Sequence, residues 1–119
     1  MFFNRYAVDT EYGGLAFEEE AARCCQQLSA TNKKVLIMCH HGVMVIGKDV
    51  ADAFNRLFYF ERAAETYIKA LWTGQPLRVL SDEVAEKTAK ELEDYPGQAE
   101  RHFAELKAIL DNEESDYAG

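Results

Sequence analysis

VLIMCHHGVMVIGKD, residues 35–49, decides how this chain is read. An apolar run of strand length ends in two histidines and a glycine, and a second apolar run follows at once. Two such runs joined by His40, His41 and Gly42 predict a hairpin or one long bent strand. Both runs are nearly all apolar, so both faces of the sheet are expected to be covered by helices. His41 next to Gly42 then has two readings. One is a turn histidine whose ring nitrogens bond backbone carbonyls. The other is a metal ligand or general base at a sheet edge, where Gly42 lets the backbone approach closely.

The surroundings narrow the choice of architecture. Upstream, NRYAVDTEYGG predicts a strand with Tyr6 and Val8 on one face, stopped by Gly13 and Gly14. FEEEAARCCQQLSATN predicts a helix, with Glu18, Glu19 and Glu20 at the end where the macrodipole favours negative charge. Ala21, Cys24, Cys25 and Leu28 form its apolar stripe, so Cys24 and Cys25 are expected to face the core.

Downstream, Asp49 is a candidate N-cap for VADAFNRLFYFERAAETYIKALWTG, which Gly74 and Pro76 end. Val50, Leu57, Ala64, Ile68 and Leu71 belong to its stripe, and so does Glu61, an acid that needs a partner or an exit to solvent. A partner for Glu61 would come from Arg62 or a subunit contact, making it a structural or interface candidate. Ser81 caps a further helix, Pro96-Gly97 breaks the chain, and QAERHFAELKAILDNE forms the last helix with His102 on its surface flank. Residues 114–119 read as a polar tail. The order is strand, helix, strand, strand and three helices. That is an α/β chain with too few strands to close its sheet edges.

Bulk properties exclude several functions. With 119 residues there is room for one domain. The formal net charge of −8 and the lack of a basic stripe argue against nucleic acid. No apolar stretch reaches membrane-spanning length, and the N-terminal residues lack a signal-peptide pattern. Three cysteines without CxxC spacing fit reduced thiols in a cytoplasmic protein. No Gly-rich phosphate loop is present.

VLIMCHHGVMVIGKDVADAFNRLFYFERAAE closely resembles the C-terminal half of the class II aldolase/adducin head domain family. The shared pattern is an apolar strand, HG, an apolar strand with a glycine, and a helix carrying AF and ERAAE. EYGGLAFEEE and TGQPLRVLSDEVAEKTA resemble the flanking segments, so the likeness runs from about Phe3 into the final helix.

The resemblance implies a three-layer α/β/α fold, its mainly antiparallel sheet flanked by helices. Residues 1–119 would be a single partial domain of that fold. It further implies a divalent metal, zinc above all, on three histidines, two from an HxH in the other half and the third at His41. His40 and Gly42 become neighbours that orient His41. The family chemistry is aldol cleavage, epimerisation or decarboxylation of a small sugar-like or hydroxy-carbonyl substrate. The metal stabilises an enediolate and a carboxylate moves the proton. The HxH and that carboxylate are absent from this sequence, which names no catalytic residue of its own. Alone, the chain is expected to be inactive and to need an N-terminal half or further copies of itself. The alternative is a non-catalytic, adducin-like module that self-associates.

Overall fold

Three strands of four residues each, β1 (Tyr6–Asp9), β2 (Val35–Met38) and β3 (Gly42–Val45), form one sheet in the order β1-β2-β3. The computed structural model describes residues 1–14, 18–31, 33–113 and 116. β1 runs parallel to β2, with Tyr6 opposite Val35, while β2 and β3 are antiparallel, with Met38 opposite Gly42. The sheet is therefore mixed, not mainly antiparallel over this stretch. With four helices it makes a mixed α/β chain that is a partial fold. The helices are α1 (Glu18–Thr31), α2 (Val50–Trp72), α3 (Asp82–Glu93) and α4 (Gln98–Glu113). Residues 15–17 and 32, where the first helix was expected to start and end, lie outside the described residues, as does most of the expected polar tail.

Two compact units are built from these elements: Met1–Ile46 with Pro76–Asp94, and Gly47–Gln75 with Tyr95–Gly119. In the first, side chains alternate between the faces of the sheet, as the pleat requires. Ala7, Leu36, Met38 and Met44 share one face and pack against Cys24 and Leu28 of α1. Leu28 and Leu36 are fully buried, a stabilisation of about 2 kcal/mol each. On the opposite face Val35 is buried, but Tyr6 and Val8 stand 45% and 50% exposed. The expected cover on both faces is thus incomplete at β1. Cys25 also departs from expectation. It is exposed, because the residue after buried Cys24 is turned by about 100° around the helix.

Charged locks complete this unit. Arg5 reaches both Glu86 (2.8 and 3.0 Å) and Glu93 (2.9 and 3.0 Å), tying the segment before β1 to α3. These hydrogen bonds raise the Arg5 pKa and lower that of Glu86. Ser81 caps α3 as expected, accepting from the Val84 N–H.

In the second unit α2 begins where Asp49 accepts a hydrogen bond from the Asp52 N–H at 2.8 Å. The chain enters this helix through Gly47, where an added Cβ would lie 2.5 Å from the Ala53 backbone nitrogen. α4 packs on α2 through Asn55, Phe58 and Tyr59, which meet His102, while Phe54 meets Phe103 with ring centroids 5.6 Å apart. At 100° per residue, the expected apolar stripe lies on the far side of α2 from Asn55. Val50, Leu57, Tyr67, Ile68 and Leu71 are consequently 40–72% exposed. The spacing located the stripe, and the helix buries a different face against α4.

Candidate functional site

Cys39, His40 and His41 make a three-residue turn between β2 and β3, closed by a hydrogen bond from the His41 N–H to the Met38 carbonyl (3.1 Å). This is the hairpin alternative of the two open in the sequence. Gly42 opens β3 at φ 119°, a conformation that side-chain-bearing residues rarely adopt. A Cβ built there meets nothing within 4 Å. Within this chain Gly42 is required by its dihedral, whereas Gly47 is crowded by backbone.

Both histidines are exposed at the tip of the hairpin. His41 Nε2 lies 3.2 Å from the Gly14 carbonyl oxygen. A carbonyl only accepts, so Nε2 carries the proton and Nδ1 keeps the lone pair. The Tyr12 ring stands edge-on to His41, centroids 5.1 Å apart, and tilted to His40 at 5.7 Å. The segment after β1 therefore holds the turn, and the group bonded to the His41 ring is Gly14, not His40.

Among the described residues, a group with metal-binding geometry occurs away from the hairpin tip. Asp9, Glu20 and Cys24 bring potential ligand atoms within 4.8 Å of one another. A guanidinium already serves that cluster: Arg23 donates to Asp9 at 2.7 Å and to Glu20 at 2.5 Å. Its hydrogen bond, helped by one from the Glu11 N–H, brings the buried Asp9 carboxyl from 3.8 down to about 2 against the opposing effect of burial. Glu20 is lowered by the same partner. Burial pushes the Cys24 thiol up and keeps it protonated. The cluster is an ion-paired lock between β1 and α1. His41 belongs to no group of three metal-type ligands among the described residues.

Glu61 stands exposed in the middle of the apolar stripe. Arg62 turns away from it, lying 5.3 Å from the Phe58 ring centroid and 4.0 Å from Glu65. Within the single chain the Glu61 carboxylate is solvent-exposed and Arg62 is engaged elsewhere.

His102, expected at the surface or flank of its helix, is half-buried. Its Nδ1 lies 2.9 Å from Asn55 Oδ1, Asn55 is 4% exposed, and the rings of Phe54, Phe58 and Tyr59 surround the imidazole at 4.6–6.0 Å. His102 was read in the sequence as a surface or flank residue, and Asn55 was not singled out. The one available signal was Asn55, a polar residue placed opposite the apolar stripe.

A hairpin bearing HG at its tip, fed by the strand β1 and its Gly-Gly turn and leading through a glycine into a long helix, defines a class. Residues 1–68 match the family model "Class II Aldolase and Adducin N-terminal domain". The chain belongs to that family. Among curated proteins it is similar to Protein hu-li tai shao of Drosophila melanogaster, 33% identical over 101 residues. That alignment takes in 84% of this chain and 9% of the relative, so the chain spans about a tenth of the relative's length. No solved structure matches it. None of the described helices is long and apolar enough to cross a membrane.

Proposed function

We propose that this chain forms the C-terminal half of a class II aldolase/adducin domain and supplies one imidazole, His41, to a divalent-metal site completed by another polypeptide segment. The observation that carries this reading is the His41–Gly14 contact. Imidazoles that ligate metals characteristically donate the other ring N–H to a carboxylate, carbonyl or water. Here Nε2–H is held by a carbonyl, and Nδ1 keeps its lone pair on an exposed residue of the turn. His41 therefore fits the role of a ligand, and it fits as one ligand of several. A catalytic zinc takes three protein ligands, and this chain brings one to the hairpin tip.

Bound there, a divalent metal, zinc above all, would polarise the oxygens of a small hydroxy-carbonyl substrate. This chain's own residues do the positioning. Gly42 sets the direction of the turn, Gly14 fixes the tautomer of His41, and Tyr12 limits rotation of both rings. His40 stands beside the ligand without bonding it. Alone, the chain has neither a complete ligand set nor a carboxylate assigned to proton transfer, so it is inactive as a lyase.

Zinc titration by calorimetry tests this. The chain alone should show no stoichiometric site at micromolar zinc. A family N-terminal half carrying the HxH pair, added in trans, should create one that His41→Ala abolishes. A reconstituted site indifferent to His41→Ala would sink the proposal.

A second reading has its own observation. The exposed stripe of α2 favours a non-catalytic, adducin-like module whose work is association. Absence of zinc binding in the reconstituted pair, together with stable association, would select it.

A further inference from the structure

The segment that holds His41 has no secondary structure of its own. Residues 11–14 lie after β1 and before α1, and among the described residues no backbone–backbone hydrogen bond reaches them. Yet this segment supplies both groups that meet the His41 ring, the Gly14 carbonyl and the Tyr12 side chain. A backbone without ladder partners keeps one course only where side chains hold it. Here those side chains converge on one guanidinium.

Arg23 of α1 donates from Nη1 to Asp9 Oδ1 at 2.7 Å, and the same oxygen accepts the Glu11 N–H at 3.1 Å. Its Nη2 donates to Glu20 Oε1 at 2.5 Å and to the Glu11 carbonyl at 3.5 Å. Glu20 carries the hold one step further along the chain. A Cβ added at Gly13 would lie 3.0 Å from Glu20 Oε2, and the Gly13 N–H is among the donors that lower the Glu20 carboxyl. The chain is thus held at Glu11 and at Gly13, on either side of Tyr12 and directly before Gly14. Asp9 also reaches the hairpin itself, because its carbonyl accepts the Cys39 N–H at 3.0 Å where the turn begins. Three acceptors in different directions require a planar fork of donors, which a lysine ammonium does not reproduce. Seating α1 on the sheet does not require it, since Cys24 and Leu28 do that through the apolar core.

We infer that Arg23 is a positioning residue for His41: through Asp9, Glu20 and the Glu11 backbone it keeps residues 11–14 on the course that brings Tyr12 and Gly14 against the imidazole. What the positioning serves rests on the reading of His41 as a metal ligand; the positioning itself does not. The other charged lock of this unit supplies a control. Arg5 also bonds two carboxylates, Glu86 and Glu93, but among the described residues it bonds none of residues 11–14.

Nuclear magnetic resonance of the full chain reads the positioning without any metal. The parent should show Overhauser contacts between the Tyr12 and His41 rings. Arg23→Met should lose them and Arg5→Met should keep them, although each removes a guanidinium from two carboxylates. Arg23→Lys, which keeps the charge beside Asp9, should weaken them at unchanged helical circular dichroism, and it decides the matter if Arg23→Met fails to fold. In the zinc titration with the N-terminal half, Arg23→Met should bind about tenfold or more weakly than Arg5→Met. Ring contacts undiminished in a folded Arg23 variant overturn the proposal. So does an equal loss in Arg5→Met, which would trace the effect to stability alone, and so does a zinc affinity that Arg23→Met leaves unchanged. Absence of zinc binding by the parent pair would sink the ligand reading instead, while ring contacts that depend on Arg23 and not on Arg5 would still support the positioning.

Discussion

His41 and His102 hold opposite tautomers in opposite surroundings. His41 sits exposed on a hairpin tip and donates from Nε2 to the Gly14 carbonyl. His102 sits among Phe54, Phe58 and Tyr59 and bonds buried Asn55 through Nδ1. One ring keeps its Nδ1 lone pair and has little packing. The other has its Nδ1 bonded inside an aromatic box. An exposed histidine held by one backbone carbonyl and a half-buried one packed between two helices are thus separated by what surrounds them, not by residue type. Mutation should separate them equally well.

The largest effect is expected at His102. His102→Ala empties the space between three rings and leaves the Asn55 amide oxygen buried without its donor. The combined cost is about 3 kcal/mol, read as a lowered urea midpoint. A loss below about 1 kcal/mol would mean the box is not the anchor of α4 on α2.

A smaller effect tests whether an ion-paired lock behaves like the neutral one. Arg23→Met leaves the Asp9 carboxylate without the guanidinium that lowers its pKa and should cost about 2 kcal/mol at neutral pH. The sign with pH follows from the depressed value. Asp9 titrates near 2 in the folded chain against an ordinary 3.8. Its contribution is therefore whole above about 4 and is lost as pH falls from there towards 2. Urea midpoints taken across that window should fall more steeply for the parent chain than for Arg23→Met.

How much of this could be read in the sequence depended on distance along the chain. The caps at Asp49 and Ser81 and the glycine stops are local, and each was legible from a few neighbouring residues, while the hairpin was one of two local alternatives. The Asn55–His102 bond joins positions 47 residues apart, and no periodicity within either helix reports it. The apolar stripe of α2 was legible as a pattern. Its destination was not, because an apolar face predicts burial without naming what buries it. At the hairpin, residue types left His41 between a turn histidine and a ligand, the family resemblance pointed to the ligand, and the tautomer needed Gly14. Gly42 was legible as necessary, and its dihedral gives a reason that residue types alone did not.

Gly42→Ala sharpens that point. With φ near 119° and open space around the missing Cβ, the cost should come from backbone strain alone, about 1 to 2 kcal/mol. A change confined to amide signals of the turn and of β2 and β3 would fit this origin. Rescue by a smaller neighbour would contradict it.

The smallest expected effect lies at His41 itself, and its smallness is the informative part. An exposed ring with one hydrogen bond and one aromatic neighbour should contribute under about 0.5 kcal/mol, so His41→Ala should leave the urea midpoint almost unmoved. If that substitution instead costs as much as His102→Ala, His41 is a structural residue of the hairpin and its place in a metal site loses its support. The tautomer gives the complementary reading. Long-range proton–nitrogen spectra should show His41 protonated at Nε2 and His102 at Nδ1, and His40→Ala should leave the His41 pattern intact because Gly14, not His40, bonds that ring. A His41 found protonated at Nδ1 would turn the lone pair back towards a carbonyl that cannot donate to it, and the distinction between the two histidines would collapse.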